Sequence, residues 1–219
     1  MLLRICLLLL ALSPLSAVLA DSHDAAAQGF LADYGRLETA GLPRKRYLMF
    51  TAPGAEGRAI SKVMLKPVIS FPKGIEFPDV EHSVTAEALT FLDHQLREEL
   101  ADELSIVTEV AKADAVLEVS ISSISAEEKG KRVIDFIPQR MVMNRIKDRV
   151  KGEALVAAIT LEFRVTDAEG NVLREGLRHM PGKGIGRSGD DDTEITFEAI
   201  EKVLKSGAEF IVGKTGPKL

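Results

Sequence analysis

Two long stretches with alternating polarity constrain the fold most. In residues 115–125 the apolar side chains of Leu117, Val119 and Ile121 alternate with polar ones, and the same pattern returns in residues 153–166. A period of two predicts strands that bury one face and leave the other in water. Such strands are typical of an antiparallel sheet covered on one side. They predict an α+β protein with a single antiparallel or mostly antiparallel sheet.

Apolar residues at helical spacing predict two main amphipathic helices packed on one face of that sheet. One is expected over about 86–103 and the other over about 194–212. Further strands are expected at 46–53, 62–71 and 105–110, with a return strand from Val172 to about Met180 after a hairpin turn at 167–171. Pro67 cannot donate to a strand ladder, so it indicates an edge or a bulge in the strand at 62–71.

The first twenty residues have the pattern of a secretory signal, which predicts export. Arg4 precedes an apolar run, and Val18-Leu19-Ala20 offers a cleavage site. The run is short of the roughly 20 apolar residues that span a bilayer, although an uncleaved anchor is the alternative. The single cysteine, Cys6, lies inside this signal. Cleavage after Ala20 would leave a mature chain without disulfides or thiol chemistry.

These patterns predict four parts of the chain. We expect a signal peptide at 1–20, a polar leader at 21–28, a single α+β domain at 29–214 and a C-terminal tail at 215–219. A basic amphipathic insertion is expected within the domain, at about 129–151.

Composition and motifs favour a protein that is not an enzyme. The formal net charge is −5 and Trp is absent, which disfavours nucleic-acid binding. The four histidines show no metal-ligand spacing, and no serine-nucleophile elbow occurs. We therefore expect no catalytic residue, no metal and no cofactor. The glycine-rich stretch at 181–189 lacks a phosphate-loop pattern, so we expect a flexible loop followed by an acidic helix cap.

The insertion at 129–151 is the most unusual segment. It holds eight Lys or Arg residues and two Asp residues, a balance of +6 in an acidic chain. Apolar residues recur every four positions among these bases, as in a basic amphipathic helix. Its candidate surface for a partner or a membrane consists of Arg140, Met141, Val142, Arg145, Ile146 and Arg149. The alternatives are contact with anionic lipid, docking to a protein, or simple packing against the sheet.

The stretch at 28–38 places Phe30, Leu31, Tyr34 and Leu37 on one stripe of a short helix. We expect Phe30, Tyr34 and Leu37 either to cover a gap in the core or to dock a partner.

Three motifs resemble a known family. "GFLADYGRL" at 29–37 is similar to the GFL-x-DY-x-x-L start of bacterial envelope lipoproteins of domain-of-unknown-function family 3313. "KVMLKPV" at 62–68 and "ITLEFRVTDAEGNVL" at 159–173 resemble its early strand and its late hairpin. The resemblance implies an α+β envelope domain without established catalytic residues, in which Phe30 and Tyr34 match the opening signature. Members commonly carry an anchoring cysteine after the signal, where this chain has Asp21.

The leading hypothesis is a non-enzymatic periplasmic accessory protein, soluble and not lipid-anchored, that binds another cell-envelope protein. Peripheral membrane contact through 129–151 is an added interpretation, and nucleic acid is not expected. The alternative is a carrier or sensor of a lipid or small amphiphile, bound between the sheet and the Met-rich segment. A third hypothesis, an envelope hydrolase, requires two close carboxylates in a deep cleft.

Overall fold

The computed structural model describes residues 29–41, 47–74, 77, 80–129, 152–187 and 194–216. Within these ranges, eight strands form one sheet, and two α-helices contribute to the core on one of its faces. The strands are β1 Glu38–Ala40, β2 Tyr47–Thr51, β3 Lys62–Leu65, β4 Ile69–Ser70, β5 Ser105–Ile106, β6 Ala115–Glu128, β7 Ala154–Thr166 and β8 Val172–Arg187. The helices are α1 His82–Glu103 and α2 Phe197–Thr215. The predicted α+β architecture is confirmed.

The sheet is mostly antiparallel, in the order β1-β2-β8-β7-β6-β3-β5. The strands from β1 to β6 along this order pair antiparallel, whereas β3 pairs parallel with both β6 and β5. The expected strand at 62–71 is divided into β3 and β4, which both pair with β6. Pro67 lies between them, because a residue without an amide hydrogen cannot continue the ladder.

The main core lies between the sheet and the two helices. Leu92, Leu96 and Leu100 of α1 are fully buried, as are Ile200 and Leu204 of α2. A parallel bridge joins Val80 to Ile195 just before the helices, so both helices begin at the same end of the sheet. In the described part of the chain, no helix combines the length and apolar character needed to cross a membrane.

The glycine-rich stretch is not a flexible loop over residues 181–187, so that prediction was wrong there. β8 continues to Arg187 and pairs with β7, with register shifts beside Val156. A Cβ atom at Gly182 would lie 2.6 Å from the Ala199 carbonyl oxygen, so glycine is needed where α2 approaches the strand. Gly186 has a φ of +121°, a conformation that side chains disfavour. Residues 188–193 lie outside the described ranges.

Replacing Gly176 by alanine should destabilise the fold by about 1–3 kcal/mol, because it overpacks the core. A Cβ at this position of β8 would lie 2.2 Å from the Phe163 ring. Gly213→Ala is the matched control, since a Cβ there meets nothing within 4 Å. We expect the control to leave stability unchanged or to raise it by up to about 1 kcal/mol. Urea unfolding followed by circular dichroism checks both, and equal stability of the two variants would contradict the packing.

Candidate functional site

The sheet face opposite the helices carries a row of charged residues, and we call it the polar face. Glu118, Arg164 and Glu175 lie side by side on β6, β7 and β8. The next row places Glu162 of β7 beside Leu177 of β8. The alternating pattern predicted a hydrated face, but Glu162 and Glu175 are fully buried. That expectation was wrong at these positions because another part of the chain covers them.

The cover is formed by residues 29–37, which we call the N-terminal strap. Phe30 and Leu31 are buried against Leu177, and the half-buried Leu37 packs on the same cluster. The strap contains a single 3₁₀ turn, Tyr34–Arg36, where the spacing predicted a short helix.

Gly29 allows the strap to fold back on itself. A Cβ atom at Gly29 would lie 2.0 Å from the Tyr34 ring, so a larger residue would displace that ring. The Asp33 side chain accepts a hydrogen bond of 2.8 Å from the Gly35 amide and so caps the turn.

Tyr34 connects the strap to the buried Glu162. Its hydroxyl donates a hydrogen bond of 2.5 Å to Glu162 Oε2 and accepts one of 3.3 Å from the Leu31 amide. Glu162 Oε1 is buried without a hydrogen-bond partner in the structure. Burial raises the pKa of the Glu162 carboxyl, and the neighbouring Glu175 charge acts in the same direction. Burial and the Glu162 charge also raise the pKa of Tyr34, so the phenol remains a donor.

Glu175 is held by two arginines and the strap backbone. Arg36 Nε lies 3.0 Å from Glu175 Oε2, and Arg164 Nε lies 3.0 Å from Oε1. The Ala32 amide adds a bond of 3.4 Å to Oε1, and Arg164 also donates to the Phe30 carbonyl. Buried carboxylates are stable when paired and hydrogen-bonded in this way.

This arrangement is not an accessible acid–base pair. Glu162 and Glu175 are close enough for their charges to interact, but neither side chain is exposed. Tyr34 and Arg36 cover them, so no substrate reaches either carboxylate in this conformation. The geometry suits anchoring of the strap rather than hydrolysis.

A second polar cluster lies farther along the same face. His179 Nδ1 is 3.0 Å from Thr160 Oγ1, and His179 Nε2 is 3.0 Å from Glu127 Oε2. The order resembles a nucleophile, a base and a carboxylate, but Thr160 is fully buried. A buried hydroxyl cannot attack an external substrate, so we assign this cluster a structural role.

The remaining candidates are distributed as follows. The surface predicted at Arg140, Met141, Val142, Arg145, Ile146 and Arg149 lies outside the described residues. His94 is exposed on α1 and lies 3.1 Å from Glu98. No group of metal-ligating side chains occurs in the ranges that the structure describes.

Sequence reasoning missed Glu162, Arg164 and Glu175. Glu162 and Arg164 follow the alternation of β7, so they were interpreted as part of a hydrated face. The available signal was the strap itself, because Tyr34 and Arg36 provide a donor and a cation that such carboxylates need.

Replacing Tyr34 by phenylalanine should lower the free energy of unfolding by about 1–3 kcal/mol, because it removes the hydrogen bond that the hydroxyl donates to the buried Glu162. Tyr47→Phe is the matched control, since its hydroxyl makes no hydrogen bond to a described residue. We expect the control to change stability by less than about 0.5 kcal/mol. Urea unfolding measures both, and equal effects would show that the Tyr34 hydroxyl does not support the strap.

Replacing Glu162 by glutamine should change how stability depends on pH. The carboxyl titrates near 4.5 when unfolded and higher when folded. Its contribution is therefore fully present below the unfolded pKa and is lost as pH rises through the folded pKa. We expect the stability of the unmodified chain relative to Glu162→Gln to fall as pH rises from about 4.5 through the raised pKa of the folded state.

Urea unfolding at several pH values measures this difference. Glu87→Gln, at an exposed position of α1, is the control and should show no such trend. A pH-independent difference between the chain and Glu162→Gln would contradict the assigned environment.

Comparison with solved structures gives distant likenesses. The hypothetical protein CT253 from Chlamydia trachomatis is 11% identical, with a TM-score of 0.44, covering 71% of this chain and 97% of that one. A PelC dodecamer from Paraburkholderia phytofirmans is 16% identical, with a TM-score of 0.36 and coverages of 79% and 98%. A minor lipoprotein from Acinetobacter baumannii is 10% identical, with a TM-score of 0.32 and coverages of 73% and 98%. At TM-scores this low, these likenesses carry no conclusion about activity or assembly.

Comparison with curated proteins gives no match. A family model described as "Protein of unknown function (DUF3313)" matches residues 26–210. The match includes the strap, α1, every strand of the sheet and α2 as far as residue 210. The resemblance inferred from the strap and from the motifs at 62–68 and 159–173 is confirmed: this chain belongs to the DUF3313 family.

Proposed function

We propose that this chain is a non-enzymatic accessory protein of the bacterial cell envelope, which acts by binding another envelope protein. The observation that carries the proposal is that the two buried carboxylates bind the strap. Glu162 and Glu175 are hydrogen-bonded or ion-paired to the strap of the same chain. A catalytic pair must be reachable by substrate, whereas this pair stabilises a scaffold.

Two sequence features support the envelope and the binding role. The signal pattern at 1–20 favours export, and Asp21 in place of an anchoring cysteine favours a soluble periplasmic protein. The segment at 129–151 combines bases with Met and β-branched residues, a composition suited to adaptable contacts. In this proposal the candidate surface formed by Arg140, Met141, Val142, Arg145, Ile146 and Arg149 contacts the partner.

Photo-cross-linking in living cells tests this function. A photoreactive residue at Val142 should give one discrete protein adduct, because Val142 lies in the proposed contact surface. The matched control is Glu87, which is exposed on α1 and remote in sequence from the segment. Glu118 is less suitable, since it is ion-paired to Lys66 and Arg164.

Three other results would count against the proposal. Lipid adducts at Val142 would favour the lipid or amphiphile carrier instead. Equal protein adducts at Val142 and Glu87 would indicate non-specific contact. The absence of any adduct would show that the segment packs without a partner.

A further inference from the structure

Two arginines of β8 project from the helix side of the sheet. Arg174 and Arg178 lie on either side of Gly176, two residues away in each direction, so all three share one face. The Phe163 ring occupies the space above Gly176, and Phe210 of α2 packs against that ring with centroids 6.0 Å apart. The strand therefore holds two cations beside an aromatic pair.

Tyr47 and Lys214 extend this group. The rings of Tyr47 and Phe210 are 4.8 Å apart, and the Arg178 guanidinium lies 4.6 Å from the Phe210 centroid. The Lys214 ammonium lies 5.1 Å from the Tyr47 centroid. We call these residues the basic–aromatic patch: Tyr47, Arg174, Arg178, Phe210 and Lys214.

The cations of this patch lack a paired carboxylate. Four other described arginines reach one, as Arg97 does with Asp93 at 2.7 Å. No described carboxylate lies within ion-pair distance of Arg174, Arg178 or Lys214. Arg174 instead donates to the Thr51 hydroxyl at 3.2 Å and to the Lys214 carbonyl at 2.6 Å.

The missing counter-charge has a physical cost. Arg174 is buried and Arg178 is half-buried, and this burial lowers the pKa of both guanidinium groups. Glu56 offsets the effect on Arg174 only through longer-range attraction. Both groups remain cationic at neutral pH. An anion that reached these guanidinium groups would replace their lost hydration with charge-assisted hydrogen bonds.

We propose that the basic–aromatic patch binds carboxylate side chains of an acidic segment on a protein partner. The inference rests on the proposed function and names the chemistry of the partner. Partly buried arginine and aromatic side chains are the composition of protein-interface hot spots. A lipid surface is instead met by bases that protrude into the headgroups, whereas Arg174 is only 8% exposed. A carboxylate on a flexible side chain reaches half-buried cations more readily than a flat bilayer does.

The test is a titration of the purified chain with an acetylated hexaglutamate peptide, followed by NMR of the arginine side-chain Nε–H signals. We expect a saturable shift of the Arg178 signal and about a tenfold higher Kd in Arg178→Gln, since one charge-assisted contact is lost. The matched control is Arg97→Gln, which removes an arginine already paired on α1 and should leave the Kd unchanged. Lys214→Gln should also weaken binding, and it decides the test if Arg178→Gln does not fold.

Vesicles of phosphatidylglycerol form the second titration. A shift of Arg178 with vesicles but not with peptide would overturn the proposal in favour of lipid. Equal peptide affinity in the Arg178, Lys214 and Arg97 variants would also overturn it. The cross-link at Val142 is independent of this result. A Val142 adduct without peptide binding rejects the patch alone, whereas peptide binding without an adduct supports the patch and rejects the proposed contact segment.

Discussion

Two carboxylates lie buried under the first described residues of the chain, and the structure of the polar face depends on this burial. Glu162 and Glu175 are both fully buried in the middle of the sheet. An isolated buried carboxylate is costly, so each requires donors or cations nearby. The strap supplies the Tyr34 hydroxyl and the Arg36 guanidinium. Among the described residues, a segment of nine residues covers this part of the polar face.

This constraint explains the signature at the start of the domain. Gly29 accommodates the Tyr34 ring, and Phe30 and Leu31 fill the apolar side of the strap. Glu162 and Glu175 bind the strap through hydrogen bonds and an ion pair, and neither is exposed to solvent. The two faces of β8 then differ in character, because Glu175 meets the strap while Arg174 and Arg178 face α2 without a carboxylate.

Local periodicity predicted the regular elements well. The apolar stripe around Leu92 and Leu96 predicted α1, and the alternation around Val119 predicted β6, because both patterns follow directly from backbone geometry. Residues 181–187 were wrongly predicted as a loop. Glycine usually indicates a turn, but Gly182 is needed because α2 packs closely against the strand there. A single sequence does not show which element will lie over a strand.

The sequence by itself determined the α+β class, the helices, the hairpin turn at 167–171 and the family resemblance, since each depends on residues close together in the chain. Only the tertiary structure decided which charged residues are buried and which lack a partner. Tyr34 and Glu162 are separated by 128 positions, and Arg36 and Glu175 by 139. A carboxylate that is buried needs donors or cations, which follows from its residue type. Whether it is buried depends on which segment of the chain packs over it. That neighbour is chosen by the packing of the whole chain.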